Sequence, residues 1–186
     1  MNTSDCILLA VLLAFSAYFS ASETALSTVN KIRLKSYADN GSKKAKLALD
    51  IAENYDRTLS TILVGNNVVN TASAALMTTV TTALFGASGA VIATAVTTVL
   101  VLIFGEILPK TYGKENSEKL ALTIAGPMHF LIVLLTPVVS IFQLLQRAMV
   151  RLCSKGDKSP SVTEEELKYI LDTIEEEGVM QEDEAQ

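Results

Sequence analysis

The feature that most restricts this chain is the gathering of its apolar residues into long blocks, at about residues 4–29, 58–84 and 89–108, where a water-soluble protein would spread them periodically. A helix of about 20 apolar residues covers the hydrocarbon of a bilayer. The pattern therefore predicts an all-α membrane protein with three transmembrane helices. A hydrophobic share of 49% and a mean hydropathy of +0.37 agree with that class. The net charge of −5 does not argue against it, because half of the acidic residues fall in one terminal segment, Glu164 to Glu184. No Lys or Arg precedes the apolar run from Ile7 to Phe19, so the first block reads as a retained span and not as a secretory signal.

Taken in order, the first block has Asp5 at one end and Lys31, Arg33 and Lys35 beyond the other. The positive-inside rule puts the basic end in the cytoplasm and the N-terminus outside. Residues 30–57 are polar, with apolar positions recurring every three or four residues around an Asn40-Gly41 break. Two short amphipathic helices along the inner membrane surface fit this, with Lys43, Lys44 and Lys46 towards lipid headgroups; a soluble helical hairpin is the alternative. The second block is rich in Thr, Ser, Ala and Asn, which suits a helix packed closely among others. Gly86 and Gly89 mark the turn into the third block, which Pro109-Lys110 is expected to close.

A further apolar stretch, about 120–150, has basic residues on both flanks and contains Pro127 and Pro137. The expectation is a bent juxtamembrane or re-entrant helix that enters and leaves on the cytoplasmic side, with a fourth crossing as the alternative. The transmembrane domain then covers residues 1–155. Residues 156–186 read as an acidic cytoplasmic helix opened by a Thr163/Glu166 capping box, with an apolar stripe of Leu167, Ile170, Leu171 and Ile174 that needs a partner.

Polar side chains inside apolar blocks are where chemistry can sit. Ser16, Ser20, Glu23 and Ser27 share one face of the first helix; Asn66, Asn70 and Ser73 share one face of the second, with Asn67 about 100° round. The third contributes Glu106. If that helix continues through Pro109, the carbonyl of Gly105 loses its usual donor. Carboxylate, amide oxygen, hydroxyl and carbonyl together make an all-oxygen set that suits a hard cation such as Mg2+, Ca2+ or Na+. The bland readings are an ion pair of Glu106 with Lys110 one turn on and ordinary interhelical hydrogen bonds for the Ser and Asn residues. One tension is depth: Asn70 lies roughly 18 Å from the helix end at Thr58, while Glu106 is only about 6 Å from Lys110. One histidine and two remote cysteines, Cys6 and Cys153, assemble no catalytic group, so an enzyme is not expected.

Three motifs stand in order: Phe19-Ser20-Ala21-Ser22-Glu23-Thr24-Ala25-Leu26, Val64-Gly65-Asn66-Asn67-Val68-Val69-Asn70, and Phe104-Gly105-Glu106-Ile107-Leu108-Pro109-Lys110. Together they resemble the transmembrane module of the CorC/CNNM (cyclin M) family of magnesium transporters. That resemblance implies a homodimer in the plasma membrane, three spanning helices and a juxtamembrane belt per subunit, and an acidic bundle leading to cytoplasmic CBS domains not contained in this sequence. It implies a Mg2+ site on Ser20, Asn70, Glu106 and the Gly105 carbonyl, with Asn66 or Asn67 as further ligands, and Mg2+ export by alternating access with Na+ as a candidate coupling ion. No nucleic-acid partner is implied. The alternative function is a Mg2+-sensing or anchoring membrane protein that regulates cytoplasmic domains without transporting.

Overall fold

The structure, a computed structural model, describes residues 3–153. The acidic helix expected over 156–186 lies outside the described residues. Among the described residues the chain is helical, with no strand. Helix α1 spans Thr3–Thr28, α2 Lys31–Asp39, α3 Lys43–Glu53 and α4 Tyr55–Phe85. After a tight turn at Gly86–Ser88 come α5 (Gly89–Leu100), a π-helical segment (Val101–Ile107) and α6 (Leu108–Glu115), then α7 (Ser117–Cys153). Gly86 at φ +64° reverses the chain, a conformation that costs glycine nothing.

Three helices span the membrane: α1, α4, and the continuous run α5–π–α6. The stretch Thr3–Thr28 and the hairpin Tyr55–Glu115 are long and apolar enough to do so, and by length and composition alone Ser117–Phe142 also qualifies. Helix α1 stands between its two partners at close range. The ring of Phe19 fills the space where Gly65 of α4 lacks a side chain, and Gly113 of α6 lies against the main chain of Ala21. With lipid as the alternative solvent, such close van der Waals packing is what holds helices together.

Much of the amphipathic segment's apolar stripe is covered by protein. Ala48, Ile51 and Ala52 of α3 join Leu34 of α2, Leu26 and Val29 of α1, and Ala121, Ile124, Ala125 and Met128 of α7 in one buried cluster at the end of the bundle where α1 stops and α4 starts. Asn30 and Ser42 cap α2 and α3 by accepting from the amides of Arg33 and Ala45, which satisfies donors that would otherwise be left open. Lys43, Lys44 and Lys46 are exposed.

Helix α7 is tied to that same end twice. Arg33 Nη1 lies 2.8 Å from Glu118 Oε1, and Arg57 Nη2 donates to Thr136 Oγ1 at 2.8 Å. Glu118 and Thr136 are about 27 Å apart along a helix, and between them Pro127, Phe130 and Leu131 line a cavity with Val11, Ala14, Phe15 and Tyr18 midway along α1, so α7 reaches beside α1 between its two ties. Pro127 and Pro137 sit inside it without ending it.

The expectation that Pro109-Lys110 closes the third helix is corrected: the helix continues to Glu115. The π-helical register before Pro109 removes the steric demand that an α-register would place on its ring. This also answers the depth tension. Lys110 is not at the end of its helix, and α4 begins earlier than expected, at Tyr55, whose hydroxyl donates to the Glu23 carbonyl at 3.3 Å.

Candidate functional site

A hydroxyl inside a membrane helix ordinarily returns its hydrogen to a carbonyl of its own helix. In α1, Ser22, Thr24, Ser27 and Thr28 do this. In α4, Ser60, Thr61, Ser73, Thr78, Thr79 and Thr81 do likewise. These side chains are accounted for by local chemistry. The informative residues are those that depart from it.

Ser16 is one. Its hydroxyl is fully buried and reaches across to α4, 2.8 Å from Asn70 Oδ1 and 3.2 Å from Asn66 Oδ1. One hydroxyl hydrogen thus serves two amide oxygens, and three oxygens converge where there is one proton. The third helix closes on the same point. A β-carbon on Gly105 would stand 2.7 Å from Ser16 Oγ, so only glycine lets the α1 hydroxyl approach this main chain.

Ser20 is the second departure. It is one turn from Ser16 on the same face, completely buried, and its Oγ has no hydrogen-bond partner. An unpartnered buried hydroxyl costs roughly 1–3 kcal/mol, which a bound ligand would relieve. Glu106 is the third. It is half-buried and, among the described residues, has neither hydrogen bond nor ion pair; Lys110, its partner in the bland reading, instead lies 3.5 Å from Glu23 Oε2.

The main chain adds acceptors. The amide of Leu108 donates to the carbonyl of Ile103, five residues back, and α-helical hydrogen bonding resumes in α6. Between Ile103 and Ile107 stand the carbonyls of Phe104, Gly105 and Glu106. Pro109 has no amide hydrogen, so only the Lys110 amide remains for these three. Two of them are left without a main-chain donor. The sequence argument, framed in α-register, located this deficit at Gly105 alone; the wider register spreads it over three neighbouring residues. Short π-helical segments of this kind are frequent at functional sites.

The structure therefore brings together Ser16, Asn66, Asn70 and Gly105, with Ser20 and Glu106 one turn and one residue away. Asn67 lies elsewhere, exposed and donating from Nδ2 to the Leu63 carbonyl of its own helix. Ser16 was absent from the residues singled out as ligands. Its signal was its position on the Ser16/Ser20/Glu23 face, but spacing along one helix does not say which turn meets the neighbours. Among the described residues no three His, Cys, Asp or Glu side chains cluster, so what converges here is neutral oxygen beside a single carboxylate. Asn70 also lines a cavity of ≈ 290 Å³ between α4 and α5, with Thr78, Thr94, Thr97 and Thr98 among its walls.

Comparison with known proteins adds the following. The cyclin M transmembrane N-terminal domain model matches residues 7–184. The UPF0053 inner membrane protein YfjD of Escherichia coli K12 is 39% identical over 84% of this chain and 37% of its own length. A UPF0053 protein of Haemophilus influenzae is 35% identical over 89% of this chain and 40% of its own length. A chloroplastic DUF21 domain-containing protein of Arabidopsis thaliana is 35% identical over 96% of this chain and 27% of its own length. The chain thus spans less than half the length of these relatives.

Proposed function

This chain belongs to the cyclin M transmembrane domain family, and we propose that it carries Mg2+ across the membrane through the oxygen set between α1, α4 and the π-helical segment. The observation that supports this most is the surplus of acceptors: Ser16 shares one hydrogen between Asn66 and Asn70, Ser20 has no partner, and Pro109 withdraws a donor from the carbonyls beside Glu106. Oxygens that face one another with a single hydrogen between three of them suit a cation. Ser16, Ser20, Asn66, Asn70, Gly105 and Glu106 offer one oxygen each, matching the about six that a dehydrated Mg2+ takes in octahedral geometry. One carboxylate among neutral oxygens leaves the occupied site with net positive charge, which favours release over permanent retention.

In this reading the N-terminus is outside, the basic end faces the cytoplasm, and the protein acts in the plasma membrane as a homodimer. Mg2+ enters from the basic end and leaves past Asn70 through the threonine-walled cavity, with Na+ as the candidate coupling ion. Purified chain in liposomes with an internal Mg2+ indicator tests it. Flux that disappears in Glu106→Gln is expected. Mg2+ binding without flux above empty liposomes would favour a sensing or anchoring role, and flux unchanged in Glu106→Gln would remove the mechanism.

A further inference from the structure

The Glu23–Lys110 ion pair lies outside the oxygen set yet joins two of the helices that build it. Lys110 Nζ is 3.5 Å from Glu23 Oε2, linking α6 to α1, and Tyr55 of α4 holds the main-chain carbonyl of Glu23. Glu23 is three residues past Ser20 and Lys110 four past Glu106, so the pair sits about one turn, roughly 5–6 Å along the helices, from the nearest members of the oxygen set and roughly 8–10 Å from Ser16 and Gly105, on the basic side. Lys110 also stands at the i,i+4 spacing from Glu106 at which Glu and Lys pair along a helix. Of these two carboxylates it pairs with the one on the other helix.

An ammonium one turn from a cation site repels the bound ion, and the repulsion doubles for a divalent ion because it scales with the product of the charges. A carboxylate in contact with that ammonium cancels most of the effect. We propose that Lys110 sets the cation affinity of the site and that Glu23 is the group that masks it. While the pair is made, a divalent ion is held. When α1 and α6 separate, the unmasked ammonium turns to Glu106, neutralises it and expels the ion. Affinity is thereby tied to the relative position of two helices, which alternating access requires. The inference rests on the reading that the oxygen set holds Mg2+.

The test is equilibrium Mg2+ titration of the full chain by calorimetry, with a thermal melt of each variant. Glu23→Gln leaves Lys110 unmasked and is expected to weaken Mg2+ binding about tenfold or more. Lys110→Gln is expected to tighten it, and the double variant to return to within about threefold of the parent. A pair that only fastens α1 to α6 would give weaker binding and lower melting in both single variants, with no recovery in the double; that result overturns the proposal. Should Glu23→Gln fail to fold, Lys110→Gln decides alone: tightening supports the proposal and weakening overturns it. Glu106→Gln separates the two levels. If it abolishes binding while Lys110→Gln weakens it, only the role of Lys110 falls; if it binds Mg2+ as the parent does, the site itself falls and the proposal with it.

Discussion

Ser16 Oγ stands 2.8 Å from Asn70 Oδ1, across the interface of the first and second membrane helices. It joins residues 54 positions apart in the chain, and with Asn66 it fixes the register of α1 against α4. Ser16→Ala removes the one hydrogen that Asn66 and Asn70 share. Leaving these two partly buried acceptors without that hydrogen costs about 1 kcal/mol, read as a lower melting temperature in detergent, and Mg2+ binding is expected to fall with it. Ser16→Cys, which keeps a weak donor, is expected to recover part of the stability and little of the binding.

Gly105→Ala places a β-carbon 2.7 Å from Ser16 Oγ. Overpacking at such a contact costs about 1–3 kcal/mol and pushes α1 away from the π-helical segment, so binding and stability should both decline. Gly126→Ala in α7 is the control. Nothing lies within 4 Å of its β-carbon position, and helix propensity favours alanine by about 1 kcal/mol, so this variant should melt at or above the parent temperature with Mg2+ binding intact.

Pro109→Ala restores an amide hydrogen next to the π-helical segment. The carbonyls around Gly105 regain a donor, and the segment can close into α-register. The expected outcome is opposed: melting temperature unchanged or raised, Mg2+ affinity lowered. Calorimetric titration alongside a melt separates this from simple damage, which would lower both.

Ser20 and Thr97, two of the three buried hydroxyls without partners among the described residues, should respond differently. Thr97→Val replaces an unsatisfied hydroxyl by a methyl of similar shape and is expected to stabilise by about 1 kcal/mol with binding unchanged. Ser20→Ala relieves the same kind of penalty, so stability should hold or rise, but an oxygen of the site is lost and Mg2+ binding should weaken. Equal effects of the two on binding would remove Ser20 from the site.

Much of the architecture was legible in the sequence because lipid imposes simple rules: long apolar blocks become helices, Gly86 and Gly89 mark a turn, and basic flanks place α7 at one end. The choice between an ion-pair role and a free carboxylate for Glu106 was not legible, since it depends on Lys110 finding Glu23 on another helix. Nor was the selection of Ser16 over Ser20 for contact with Asn66 and Asn70, because a shared helical face specifies direction and not height. Proline at 109 announced a main-chain irregularity, but a single missing donor does not reveal that the preceding seven residues, Val101–Ile107, take the wider π-helical register. The amphipathic pattern of α3 reads as a helix along the inner membrane surface, and only the folded chain says that α1, α2 and α7 cover its apolar stripe.

The central claim is that Ser16, Ser20, Asn66, Asn70, Gly105 and Glu106 enclose a divalent cation, and the most direct measurement is an anomalous difference map from crystals of the chain grown with Mn2+ in place of Mg2+. The account predicts a peak between α1, α4 and the π-helical segment, within coordination distance of Asn66 Oδ1, Asn70 Oδ1, the Gly105 carbonyl and the Glu106 carboxylate, with the Ser16 hydroxyl turned from its amide partners. A map without a peak there, in which Ser16 still bonds Asn70 and Mn2+ lies only on exposed carboxylates, would contradict it.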